Sequence, residues 1–230
     1  MLKPRKRITK KELKQDKLVT TYFKTIELLR NNRKIVSGLV TGLVIAVVVV
    51  VAYLNNVDAN NRKAATDLSQ VLNYFDGGAY QVAINGDPAH NIPGLKSIVD
   101  NYGNSETGEA AKVYLADCYY YLGDYTDAMK YFKDYDGSDK FLKASADAGV
   151  AEVYEIQGDH KKAAEYYERA ASRDSKNFMT PQYLVGAARN YIKVGKKDRA
   201  IGLLTRVQKD FPNSPYAGNL AYYMAQAKVE

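Results

Sequence analysis

Few residues in this 230-residue chain are equipped for chemistry: two histidines, His90 and His160, and one cysteine, Cys118. Asp87 and His90 stand close together in the stretch INGDPAHN. A carboxylate beside an imidazole can fix its tautomer for general-base work, but a nucleophile or metal site needs a third organising group. The sequence offers none. Asp117, Glu152 and Glu155 fall on helical patterns with basic neighbours and read as solvated carboxylates. A single cysteine cannot close an intramolecular disulfide, and Cys118, between Ala116 and Tyr119, reads as a small packed residue. No Walker loop, GxSxG elbow, HExxH or CxxC occurs. The expectation is a non-enzyme without cofactor or metal.

What would position these residues is a repeat. Segments 110–135, 145–170 and 182–207 align on Gly123, Gly158 and Gly195. Eight residues before each glycine stand Leu115-Ala116, Val150-Ala151 and Ala187-Ala188. Four before stand Tyr119, Tyr154 and Tyr191; five after, Ala128, Ala163 and Ala200; nine after, Phe132, Tyr167 and Leu204. Small residues let two helices approach, aromatic knobs fill the layer between neighbours, and glycine turns the chain at a helix end. Tyr154, Ala163, Tyr167 and Ala170 are thus expected in a core. One such hairpin cannot bury its apolar face alone, so the units must stack.

This pattern resembles the tetratricopeptide repeat (TPR), a helix-turn-helix of 34 residues. The resemblance implies an all-α solenoid of about four hairpins. The first, 76–105, is degenerate, with its Gly-Gly, Asp-Pro and Ile-Pro-Gly interruptions expected as loops and a short helix over 95–102. A final helix over 213–230 caps the stack, with Leu220, Tyr223, Met224 and Ala227 at helical spacing. Upstream, 60–75 is helical. In TPRs the slot of His160 is often aromatic, which implies a packed or solvated ring.

TPR units usually offer the inner face of each first helix to a partner. The alignment puts Val113, Asp117, Tyr120 and Tyr121 there, then Ala148, Glu152, Glu155 and Ile156, then Val185, Arg189, Ile192 and Lys193. Family members that grip a C-terminal carboxylate do so with Lys and Asn, whereas Asp117 and Glu152 would repel one. A mixed aromatic and acidic groove suits an extended or helical polypeptide of some basic character. The alternative for Tyr120 and Tyr121 is packing on the irregular first unit.

Residues 35–54 carry no charge over 20 residues. As a helix they rise about 30 Å, the thickness of a bilayer's hydrocarbon core. The preceding arm is too long, and Val51-Ala52-Tyr53 too poor a cleavage site, for a cleaved signal peptide. An uncleaved signal-anchor is expected. Of the chain's 33 Lys/Arg and 26 Asp/Glu, twelve and three precede residue 35, so the net charge of +7 belongs to the arm. The positive-inside rule then puts the arm in the cytoplasm and the rest across the membrane. For the same reason the pI near 9.2 gives no ground to expect nucleic acid.

Within the arm, Thr9 and Glu12 have capping-box spacing. Leu18, Val19, Tyr22, Phe23, Ile26 and Leu29 then form one apolar stripe, with Lys14, Lys17, Lys24 and Arg30 contributing to the polar remainder of a helix ending at Asn31-Asn32. The stripe suits either anionic headgroups of the cytoplasmic leaflet or a partner membrane complex. Gly38 and Gly42 form a G-x-x-x-G step that permits close helix approach.

The layout of basic arm, single span, degenerate unit with AINGD, then regular units with TPQYL and DFPNSP resembles bacterial single-span inner-membrane TPR proteins, of the kind represented by the ancillary subunit of the Sec translocon. The resemblance implies three parts: 1–34 a cytoplasmic arm, 35–54 a transmembrane helix, and 55–230 a periplasmic TPR-like domain. It also implies an adaptor for secreted polypeptides or chaperones. The alternative is a structural or assembly subunit of another membrane complex.

Overall fold

The computed structural model describes residues 17–228; the Thr9–Glu12 capping box and the side chain of Leu18 lie outside the described residues. The chain divides into two units, Met1–Asn56 and Val57–Glu230. In the first, helix α1 (Lys17–Asn31) gives way at Asn32 to helix α2 (Arg33–Asp76). Asn32 N–H donates to the Leu28 carbonyl (3.1 Å), and the Asn32 side-chain amide donates to the same oxygen (2.9 Å). Among the described residues, α2 is the helix whose length and composition suffice to cross a bilayer. It continues past residue 55 without a break, merging the expected span with the expected helix over 60–75.

The second unit begins with the last turns of α2, which bury Ala64, Leu68 and Val71. Helix α3 (Tyr80–Asn85) follows. Strands β1 (Gly86–Asp87) and β2 (Ile92–Pro93) then pair antiparallel around a 3-10 turn, Pro88–His90, before helix α4 (Leu95–Tyr102). The expected loops are thus an ordered knot. Its backbone segments approach so closely that a Cβ on Gly94 would lie 2.2 Å from the Ile84 carbonyl oxygen. Three helical hairpins come next: α5 (Glu106–Tyr121) with α6 (Tyr125–Asp134), α7 (Lys140–Ile156) with α8 (His160–Arg173), and α9 (Thr180–Lys193) with α10 (Lys197–Asp210). The expected single C-terminal helix is instead a 3-10 turn, Pro215–Asn219, followed by α11 (Leu220–Lys228).

Each hairpin turns by the same device. Gly123, Gly158 and Gly195 have φ of +81°, +79° and +73°, a left-handed conformation that only glycine adopts without strain. The following N–H, of Asp124, Asp159 or Lys196, reaches back to the carbonyl of Tyr119, Tyr154 or Tyr191, each at 2.9 Å. That is a Schellman closure. In the first two hairpins the aspartate also caps the next helix, accepting from the N–H of Asp127 or Lys162 at 3.1 Å. The third hairpin has Lys196 there and no side-chain cap.

Successive hairpins interlock ring on backbone. A Cβ on Gly149 of α7 would lie 2.3 Å from the ring of Phe132 of α6, and one on Gly186 of α9 would lie 3.1 Å from the ring of Tyr167 of α8. Ala128, Ala163 and Ala200 are fully buried, as are Leu204 and Val207. Tyr167 and Ala170 are buried as expected, but Tyr154 is only half-buried. Its ring packs on Tyr166 while its hydroxyl accepts from Lys133 Nζ at 3.2 Å. Two charged residues are buried and paired: Asp147 between the Nε groups of Arg169 and Arg173, each at 2.8 Å, and Lys112 between Glu109 (2.8 Å) and Asp134 (2.9 Å). Buried charge is tolerated only with such partners.

Two glycine substitutions separate packing from backbone freedom. Gly149→Ala drives a methyl into the Phe132 ring and should cost about 1–3 kcal/mol. Gly202→Ala, on a helix with nothing within 4 Å, should stabilise by about 0.5–1 kcal/mol. Urea unfolding of the full chain in detergent checks both; equal effects would refute the ring-on-backbone interlock.

Candidate partner-binding groove

The first helices of the three hairpins supply the predicted groove residues. Val113 is not among those that line it: it is 3% exposed and packs with Phe132, Val150 and Val153. The helix there leans its face inward, so the residue expected on the surface belongs to the core. Ala148 is likewise buried. Tyr121 is 59% exposed yet stacked on Tyr80 of the irregular unit, with ring centroids 4.7 Å apart, while Tyr120 packs edge-on against Tyr121 and Tyr125. Of the two, only Tyr121 packs on the first unit, and it still shows a face to solvent.

Asp117, Glu152 and Glu155 are not freely solvated. Burial and the negative charge of Glu152 push the Asp117 carboxyl up to about 7. Burial and Glu155 also raise Glu152, with Arg189 partly opposing. Glu155 is different. Burial raises it, but Arg189's hydrogen bond and charge, the Asn190 amide and Lys193's charge outweigh that and hold it below the usual range. The Arg189 Nη2–Glu155 Oε2 distance is 2.8 Å, and Tyr167 OH donates to the same oxygen at 3.4 Å. Lys193 is exposed. Burial and Glu152 push the Tyr120 phenol up to about 12 and raise Tyr167 as well. The groove thus holds one neutralised carboxylate, Glu155, and two that no basic side chain pairs with among the described residues.

Beside this pair lies a cleft of about 300 Å³. Glu152, Val185 and Arg189 line it, as expected. So do Tyr167, Gln182, Gly186, Tyr216, Asn219 and Tyr223, which the repeat alignment does not assign to a surface. Tyr216 OH donates to Gln182 Oε1 at 2.7 Å, so the C-terminal cap is a wall of the groove. Tyr167 is readable as a repeat position, but its edge reaches the cleft because Gly186 has no side chain.

Asp87 and His90 do acquire a third group, Tyr74. Its hydroxyl donates to Asp87 Oδ2 at 2.6 Å, His90 Nδ1 lies 2.6 Å from the same oxygen, and Ala89 N–H donates to Oδ1 at 3.0 Å. These bonds hold Asp87 down to about 2, the Tyr74 and His90 hydrogen bonds first. Tyr74's phenol is raised by the same bond, so it is not poised as a nucleophile. The cluster staples the short ladder. His160 Nδ1 lies 2.8 Å from Oδ1 of buried Asn190, a packing contact between hairpins. Cys118 is buried and its thiol is pushed up to about 12 by burial, then by Asp117. It is inert as a nucleophile.

The unpaired carboxyls set a pH dependence. Asp117 holds its proton to about 7 in the folded state and to about 4 when unfolded. The folded state therefore binds more protons between those values, and stability should fall as pH rises from about 4 to about 7. Asp117→Asn should flatten that slope and raise the unfolding free energy at pH 8 by on the order of 2 kcal/mol. Unfolding midpoints across pH check this, and parallel curves for variant and parent would contradict it.

A tetratricopeptide repeat model matches residues 149–177, and a second one matches 110–135 and 182–214. No curated protein matches. Among solved structures, two of the Podosopora anserina putative kinesin light chain with nearly identical TPR-like repeats are similar, one of them a single-substitution form. Both have TM-score 0.54 and 18% identity over 72% of this chain, covering 85% of the parent repeat protein and 84% of the substituted one. Likeness at that identity concerns the fold, an all-α TPR-like solenoid. A TPR solenoid is typically a scaffold that presents surfaces to other proteins. The family matches fall on the three regular hairpins, which read as tetratricopeptide repeats in a TPR-like all-α fold.

Proposed function

We propose that this chain is a non-enzymatic adaptor, tethered to a bacterial cytoplasmic membrane by residues 35–54, whose TPR groove takes polypeptides bearing a cationic side chain. The observation that carries this reading is Glu152 in a cleft walled by tyrosines, with half-buried Asp117 beside it and neither carboxylate in an ion pair among the described residues. An incoming Lys or Arg neutralises that pair and gains contact with ring faces. Arg189 lines the same cleft and lowers Glu152 through its charge, but its ion pair is with Glu155.

The positive arm favours the cytoplasm and the anionic headgroups there, which leaves the repeats in the periplasm. Secreted chains and periplasmic chaperones are then the available ligands, and association with the translocon is the favoured setting. A second reading is a structural subunit of another membrane complex. It draws on α1, whose Tyr22 and Phe23 are 62% and 63% exposed with no partner helix among the described residues.

Binding of fluorescent peptides to the detergent-purified full chain tests the groove. A peptide of alternating Lys and Leu should bind at least about tenfold tighter than its Lys→Gln counterpart, a difference near 1.4 kcal/mol. Glu152→Gln should remove most of that preference. Equal binding of the two peptides would refute the cationic-ligand reading. Resistance of the full chain to alkaline extraction from membranes tests the tether separately. Stoichiometric co-purification with one complex, lost when Leu18, Phe23 and Ile26 become Ser, would favour the subunit reading instead.

A further inference from the structure

Three largely covered carboxylates in the hairpins share one arrangement. Asp147 accepts from Arg169 Nε at 2.8 Å, while that guanidinium lies 3.9 Å over the Tyr166 ring. Glu168 accepts from Arg199 Nε and Nη2 at 3.0 and 2.8 Å, with the guanidinium 5.4 Å over the Tyr191 ring. Glu155 accepts from Arg189 Nη2 at 2.8 Å beside Tyr167. Each grouping of carboxylate and tyrosine is thus completed by a guanidinium from the chain itself. The three carboxylate side chains are 9%, 22% and 18% exposed. The lysine version, Lys162 with Asp159 at the Tyr154 ring, uses a more open carboxylate, 36% exposed. A guanidinium is more weakly hydrated than an ammonium and tolerates such cover better.

Glu152 repeats the arrangement without its guanidinium. It lines the cleft of about 300 Å³ together with Tyr167, Tyr216 and Tyr223. Burial, the charge of Glu155 and the opposing charge of Arg189 act on it, and no hydrogen bond does among the described residues. Further acceptors border the space. Gln182 Oε1 takes the Tyr216 hydroxyl at 2.7 Å and keeps a second lone pair, and Asn219 brings a side-chain carbonyl. A space of this size, at the small end of ligand pockets, suits a side-chain head with its stem rather than a bare ion.

We propose that this cleft is an arginine pocket, taking the guanidinium of a polypeptide ligand in preference to a lysine ammonium. Glu152 accepts two parallel N–H bonds, Asn219 accepts another, and a tyrosine ring covers the guanidinium plane. The proposal rests on the cationic-ligand reading above and narrows it from positive charge to the guanidinium fork. A guanidinium holds five donors in one plane and meets a carboxylate bidentately, whereas an ammonium meets it as a point charge. Its face also stacks on an aromatic ring. The charge of Arg189 acts on either cation alike, so it weakens affinity without setting the preference.

Fluorescent peptides on the alternating scaffold above, carrying Arg, Lys, symmetric dimethylarginine or Gln, test the pocket on the detergent-purified full chain at pH 8. Arg should bind at least about tenfold tighter than Lys. Dimethylarginine keeps the charge but blocks the fork, and should fall to within about threefold of Lys. Glu152→Gln should remove the difference between Arg and Lys. Asn219→Ala should lower Arg binding more than Lys binding, and Asp117→Asn should weaken both together. Arg and Lys binding alike, both tighter than Gln, would overturn the arginine pocket and leave the cationic-ligand reading standing. All four peptides binding alike would overturn that reading as well. Dimethylarginine equal to Arg would overturn the fork, and an Arg preference that survives Glu152→Gln would overturn its placement in this cleft. The dimethylarginine comparison uses the parent chain alone, so it decides the fork even where a variant fails to fold.

Discussion

The folded unit depends on an aromatic ring meeting bare backbone at each junction between hairpins. Phe132 sits on Gly149 at a distance that excludes even a methyl group, and Tyr167 on Gly186 so closely that a methyl would press on its ring. In sequence, ring and glycine occupy equivalent offsets from the turn glycines of successive repeats. One rule therefore sets both the stacking distance and the rotation of each first helix. Because interiors are close-packed, that rotation decides which residues face the groove and which the core.

The groove then inherits an electrostatic imbalance from the same geometry. Stacking buries Asp117 and Glu152 of adjacent hairpins, and Glu152 raises Asp117 further while Glu155 raises Glu152. One hairpin further on, Arg189 meets Glu155 and that carboxylate is quieted. The unneutralised charge is thus confined to the first half of the groove, next to Tyr120 and Tyr121. Natural folds tend to tolerate such local conflict where a partner resolves it.

Much of the architecture was legible in the residues. The turn glycines, the small residues before them and the aromatic positions after them located three hairpins, and helix 95–102 and the end of α1 at Asn31 coincide with the structure. The ladder at 86–93 was not legible, because two-residue strands leave no alternation to read and Gly-Asp-Pro signals a turn without naming its partner. Tyr154 was misassigned because a repeat position tells which side a residue faces, not how much of it the neighbours cover. The site was half legible. Glu152 and Arg189 came from the repeat register, but Tyr216, Asn219 and Tyr223 come from the cap, which follows no repeat. Their place in the groove depends on tertiary packing alone.

The hairpin turns also set where the stack is weakest. In the first two, one aspartate closes the outgoing helix through its N–H and starts the incoming one through its side chain, whereas Lys196 does only the former. Contacts in a solenoid run between neighbours, so opening propagates from an end rather than throughout. With its helix start uncapped, α10 lacks the side-chain hydrogen bond that begins α6 and α8 and lies next to the C-terminal end of the stack. Transient fraying there would widen the cleft wall made by Tyr216 and Tyr223, giving a bulky ligand an entry route that leaves the two earlier hairpins intact.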